Sequence, residues 1–100
     1  MSAKQLTDDG STMTRDFWVA NKLGIHARPA AMFVKTANRF NCDIFVEKGG
    51  EKVNGKSIMG LMMLAAEEGS LVHLAVDGPD EAEVLAALEK LFANRFDEKE

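Results

Sequence analysis

The chain has a single cysteine, Cys42, so no internal disulfide or thiolate-bound metal cluster is open to it, as suits a reducing cytosol. Cys42 itself reads as a small, partly buried apolar residue. No run approaches the roughly 20 apolar residues of a membrane-spanning helix. The opening MSAKQLTDDGST lacks the apolar core of a secretory signal, and the expected location is the cytoplasm. Positive charge is not in excess either. Twelve Lys and Arg face sixteen Asp and Glu, a formal charge of -4, which argues against a footprint for nucleic acid or membrane. The expected partners are proteins or small molecules. No cofactor is called for, and His73 stands without a second histidine or a cysteine at metal-ligand spacing.

What is present is the mixture of a soluble globular domain, 46% hydrophobic and 28% charged over 100 residues, enough for one core and one domain. The expected limits are a flexible N-terminal extension at 1–13, a domain at 14–96 and a frayed acidic tail at 97–100. Phe17 and Val19 alternate with Trp18 as a first strand within residues 15–20. Ala30, Phe33, Val34, Ala37 and Phe40 recur at helical spacing, predicting a helix over about 27–40 with Pro29 harmless in its first turn. Ile44 and Val46 begin a hairpin that turns at Gly49-Gly50. Ser57 is placed to cap a short helix that ends near Gly69. Residues 71–76 alternate as another strand, and Pro79 opens a last helix whose stripe is Val84, Leu85, Leu88, Leu91, Phe92 and Phe96. The order βαββαβα predicts an α+β domain with its helices gathered on one face of a sheet.

His26 follows a glycine turn and precedes the first helix, beside unpaired backbone N–H groups at the positive end of the helix dipole. Such a place welcomes an anion carried on the imidazole. Arg28 would supply a second, bidentate partner for a phosphoryl group. Position alone also allows a plainer reading, in which His26 caps the helix and Arg28 is a solvated charge. The surrounding string is more specific. Gly24-Ile25-His26-Ala27-Arg28-Pro29-Ala30-Ala31 closely resembles the active-site signature of HPr, the histidine-containing phosphocarrier family of the phosphoenolpyruvate-dependent phosphotransferase system. Gly55-Lys56-Ser57-Ile58-Met59-Gly60-Leu61 is similar to that family's regulatory-serine segment, and the likeness covers about residues 14–96.

The resemblance implies an open-faced sandwich, a four-stranded antiparallel sheet covered on one side by three helices. It implies phosphorylation of His26 at Nδ1 by enzyme I, contact of Arg28 with the phosphate, and delivery to IIA-type components for sugar uptake or regulation. The protein would be a stoichiometric carrier, expected as a monomer, and not an enzyme. The nitrogen-related branch of the system is the alternative within the family. From another class, the chain could be a regulatory binding module governed by a serine kinase or phosphorylase at Ser57, with His26 silent. Phosphate at a helix start is well tolerated, so its effect would fall on partners. Ile58, Met59 and Met62 are the expected docking patch beside His26, since methionine repacks against different partners.

One motif competes. Gly50-Glu51-Lys52-Val53-Asn54-Gly55-Lys56-Ser57 fits the P-loop pattern letter for letter. A P-loop must follow a buried parallel strand, whereas Lys52-Val53-Asn54 forms the return arm of a hairpin and leaves no free cradle for phosphates. Gly55 and Ser57 are expected to be a turn and a cap.

Overall fold

The computed structural model describes residues 12–98. Its elements are β1 (Thr12–Trp18), α1 (Ala27–Ala37), β2 (Asp43–Lys48), β3 (Glu51–Asn54), α2 (Ile58–Met63), β4 (Leu71–Asp77) and α3 (Glu81–Ala93). The four strands form one antiparallel sheet in the order β1-β4-β2-β3. The three helices cover one face, as the βαββαβα reading requires.

Register follows burial. Phe17 stands opposite Val72 across β1 and β4, while Ile44 faces Val76 and Val46 faces Leu74 across β2 and β4. All six are buried. A slip of one residue would turn the whole set out to water. Phe17 is 9% exposed against 65% for Trp18, the alternation expected of them. Between sheet and helices lies an aromatic cluster: Phe92 stacks on Phe17 at 4.7 Å and meets Phe33 and Phe96 edge-on at 6.4 and 5.1 Å. Gly49 and Gly50, with φ of +59° and +87°, make the hairpin turn for which they were read.

Several boundaries differ from the sequence reading. Thr12 and Met13 already belong to β1; of the proposed extension, residues 1–11 lie outside the described residues. α1 stops at Ala37, and Phe40 packs on the core from the turn beyond it. Pro79 precedes α3, whose N-cap is Asp80. Phe96 is fully buried as expected, but not on the helix. α3 ends at Ala93, and Arg95, Phe96 and Asp97 all take positive φ, from 53° to 57°. The chain thus folds back in a left-handed turn, and Phe96 reaches the core from there. Residues 97 and 98 are not frayed: Asp97 N–H donates to Asn94 O and Glu98 N–H to Arg95 O. Residues 99 and 100 lie outside the described residues.

The short α2 ends where Ala65 adopts φ of +52°, with the Lys48 ammonium donating to the Leu64 and Ala65 carbonyls at 3.3 and 3.4 Å. A left-handed alanine costs about 1 kcal/mol, and glycine removes that strain while giving part of it back as unfolded-state entropy. Ala65→Gly is expected to stabilise the fold by about 0.5 kcal/mol, visible as a higher urea midpoint at unchanged slope. A lower midpoint would show that the Ala65 methyl contributes packing which outweighs the strain.

Candidate functional site

The loop before α1 is tied down at both ends of a tight turn. Gly24 N–H donates to Asn21 O at 3.2 Å, and the buried Asn21 Nδ2 donates to Gly24 O at 2.7 Å. Ile25 N–H then donates to Ala66 O at 2.8 Å, while the Ile25 side chain enters the core. With its neighbour fixed, His26 stands at the N-cap of α1 in extended backbone conformation, φ -87° and ψ -162°. Its imidazole makes no capping hydrogen bond, and the residue is exposed. Neither ring nitrogen is engaged in capping the helix, contrary to a purely capping role. The Ala27 and Arg28 N–H groups lie in the first turn, where no helical carbonyl reaches them. Pro29 supplies no N–H at all.

Two clefts flank the ring. One, of about 160 Å³, is lined by Leu23, Ile25, His26, Met62, Ala66 and Glu67 among others. The other, of about 260 Å³, brings His26 together with Arg28, Leu23, Met62, Pro29 and Glu98. Arg28 lines the second cleft, and its guanidinium already has two partners. Nη2 donates to Phe96 O at 3.1 Å and Nη1 approaches Met32 Sδ at 3.3 Å. Both bonds are to neutral acceptors, so the charge of Arg28 is uncompensated by them and remains available to an anion on His26.

Ser57 lies on the neighbouring element. Its Oγ accepts from Gly60 N–H at 3.0 Å, the N-cap bond expected of it. Ser57→Ala is expected to cost about 1 kcal/mol, read as a fall in Tm of about 4–8 °C; no fall would mean that water replaces the cap without loss. Of α2 only Leu61 is buried. Ile58, Met59 and Met62 are exposed, as proposed for docking, and Met62 lines both clefts. The same surface includes two residues the sequence reading omitted, Met63 at 65% and Leu23 at 66% exposure. Met63 follows Met59 at helical spacing, and Leu23 is an apolar residue in a turn three positions from the histidine. Those were the available signals.

The segment with the P-loop pattern is no phosphate cradle. Residues 51–54 are the edge strand β3, and the Lys56 ammonium donates to Phe40 O at 3.0 Å. Gly55 packs so tightly on Ile44 that a Cβ would stand 2.5 Å from its Cγ2. His73 lies exposed on the open face of the sheet, its Nδ1 2.6 Å from Asp16 Oδ1. No group of three His, Cys, Asp or Glu suited to a metal ion occurs among the described residues. Cys42 is buried, and burial pushes its thiol pKa upward. No helix among the described residues is long and apolar enough to cross a membrane.

Comparison with known proteins fits this geometry. Residues 13–94 match the family model described as PTS HPr component phosphorylation site. The phosphocarrier protein HPr of Treponema pallidum is 49% identical over 81 residues, covering 81% of this chain and 92% of that protein. The HPr-like protein Crh of Bacillus subtilis is 60% identical over 72 residues, or 72% of this chain and 81% of Crh. Among solved structures, HPr from Thermoanaerobacter tengcongensis has a TM-score of 0.84 at 45% identity, covering 88% of this chain and 99% of that one. An HPr dimer from the same organism is similar as well, with a TM-score of 0.68 at 50% identity over 78% of this chain and 90% of that one. Sequence match, relatives of nearly the same length and the antiparallel sheet under three helices agree, and the chain belongs to the HPr family of phosphocarrier proteins of the phosphotransferase system.

Proposed function

We propose that His26 Nδ1 accepts the phosphoryl group of phosphorylated enzyme I and passes it to a IIA-type component. The observation that carries this reading is an exposed imidazole, free of any capping bond, at the head of α1 with Arg28 in the same cleft. In the transfer, the neutral Nδ1 lone pair attacks phosphorus in line. The new P–N bond forms as the donor's P–N bond breaks, and the donor ring, protonated on its other nitrogen, leaves as a neutral imidazole. His26 keeps its Nε2 proton, so the ring carries positive charge against the phosphoryl anion until that proton is released. The Ala27 and Arg28 N–H groups stabilise the anion at the helix start, and the Arg28 guanidinium turns from Phe96 O to join them.

The chemistry needs no metal or cofactor. The same carrier serves sugar uptake or a nitrogen-related regulatory relay, depending on which IIA-type component receives the group. Docking uses the apolar surface of Ile58, Met59 and Met62, extended by Met63 and Leu23, and the cytoplasm, where such partners reside, is the proposed location. One copy suffices, because His26, Arg28 and their cleft come from a single chain; the monomer is tested by sedimentation, a dimer at working concentration being the contrary result. Ser57 is the proposed regulatory site. A phosphate there would lie at the edge of the docking surface and break the bond to Gly60 N–H only if Oγ turned away.

The test is incubation of the purified chain with enzyme I and phosphoenolpyruvate, followed by a IIA-type protein. The expected result is an acid-labile, base-stable phosphate that disappears on addition of the acceptor. No label from any active enzyme I would refute the carrier reading and favour a binding module governed through Ser57.

A further inference from the structure

The left-handed turn after α3 delivers an acidic side chain to the phosphoryl site. Three successive non-glycine residues with positive φ, Arg95 to Asp97, are a costly conformation that persists only where its surroundings fix it. Two anchors do so. Phe96 is fully buried edge-on against Phe92, and its carbonyl accepts from Arg28 Nη2. The consequence falls on Glu98. Its Oε1 accepts from Lys22 N–H at 2.6 Å and its Oε2 from Leu23 N–H at 3.0 Å. Both amides belong to the turn that positions His26, and Glu98 lines the cleft shared by His26 and Arg28.

Resting on the carrier reading above, we propose that Glu98 is a positioning residue of phosphoryl transfer: seated on the Lys22 and Leu23 amides, its carboxylate opposes a phosphoryl group on His26 and keeps that group easy to give away. Two effects act in the same direction. The carboxylate and the phosphoryl anion repel across one cleft, and the bond that holds the turn in place uses the guanidinium that the phosphoryl group needs. When Arg28 swings to the phosphate, Phe96 O loses its donor and the tail is released. Phosphorylation and tail closure are therefore antagonistic, and each weakens the other by the same factor. A carrier must not hold its cargo too tightly, since the P–N bond made at Nδ1 has to be broken again at the next partner. A carboxylate that must withdraw before the phosphoryl group settles achieves this without touching the reacting atoms.

The experiment poises the full chain with enzyme I at a set ratio of phosphoenolpyruvate to pyruvate and measures the phosphorylated fraction at equilibrium. Removing one negative charge from this exposed cleft is expected to raise the equilibrium constant for phosphorylation about three- to tenfold at low salt, and by less at 0.5 M salt. Glu98→Gln and Glu98→Ala should both show the rise. Glu83→Gln, which makes the same change of charge on exposed α3, should not. On phosphorylation of the unaltered chain, the amide resonances of Lys22 and Leu23 should move as the carboxylate withdraws. A constant within twofold of the unaltered chain in both Glu98 variants, or unmoved amides, overturns the proposal while leaving the carrier reading intact. Failure of the unaltered chain to take any phosphoryl group overturns both, and is read first.

Discussion

Replacement of His26 by alanine is expected to reduce phosphoryl acceptance from enzyme I to background while leaving the fold unchanged. The two halves of this prediction rest on different observations. The ring is the only exposed nucleophilic nitrogen in the clefts at the head of α1 among the described residues, and Arg28 lines one of those clefts beside the first turn of the helix, whose N–H groups no helical carbonyl reaches. Yet the ring itself makes no cap bond, and the residue is exposed, so its loss should alter stability by no more than about 0.5 kcal/mol. Labelling from phosphoenolpyruvate reads the first half and a thermal melt the second. A variant that still took an acid-labile phosphate would move the acceptor elsewhere. One that melted well below the unaltered chain would show that His26 also supports α1.

Gly24→Ala should have the largest effect on stability. Gly24 has φ of +70°, and a Cβ there would stand 2.5 Å from Ala66 O. That oxygen accepts the Ile25 N–H bond which fixes the approach to His26. The methyl group can be accommodated only by moving backbone, at the cost of that bond as well as the left-handed strain of about 1–2 kcal/mol. A total of about 3 kcal/mol is expected, or a fall in Tm of more than about 10 °C. Because the displaced segment carries His26, phosphoryl acceptance should fall even at temperatures where the variant is folded. Unchanged stability would mean that the loop around residue 66 yields freely, and that the turn does not position the histidine.

The parts of this structure written in local pattern were legible from the sequence. Alternation at Phe17, Trp18 and Val19 gave the faces of β1, and Gly49-Gly50 gave the hairpin, because period and turn chemistry are local properties. The string around His26 pointed to its place before a helix for the same reason. Helix ends were less legible. The apolar stripe of α3 continues to Phe96, which is indeed buried, but periodicity records burial and not conformation, and the chain reaches that position by a left-handed turn. Phe40 misled in the same way, joining the core from beyond the end of α1. Contacts between distant segments left no signal. The bonds from Arg28 to Phe96 and from Glu98 to the turn before His26 span 68 to 76 residues, and no pattern in either segment announces the other. The excess of apolar surface on α2 was countable, while its direction was not. Met63 and Leu23 joined the exposed surface only once the sheet had fixed which way α2 faces.

The central claim is that the carried phosphoryl group sits on His26 and nowhere else. Its most direct test is to phosphorylate the unaltered chain with enzyme I, label the histidine ring nitrogens with 15N, and observe phosphorus–nitrogen coupling by NMR. Coupling of phosphorus to Nδ1 of His26, with His73 and Ser57 unmodified, is the result this account predicts. Phosphorus on His73 or on Ser57, with an unchanged His26 ring, would contradict it.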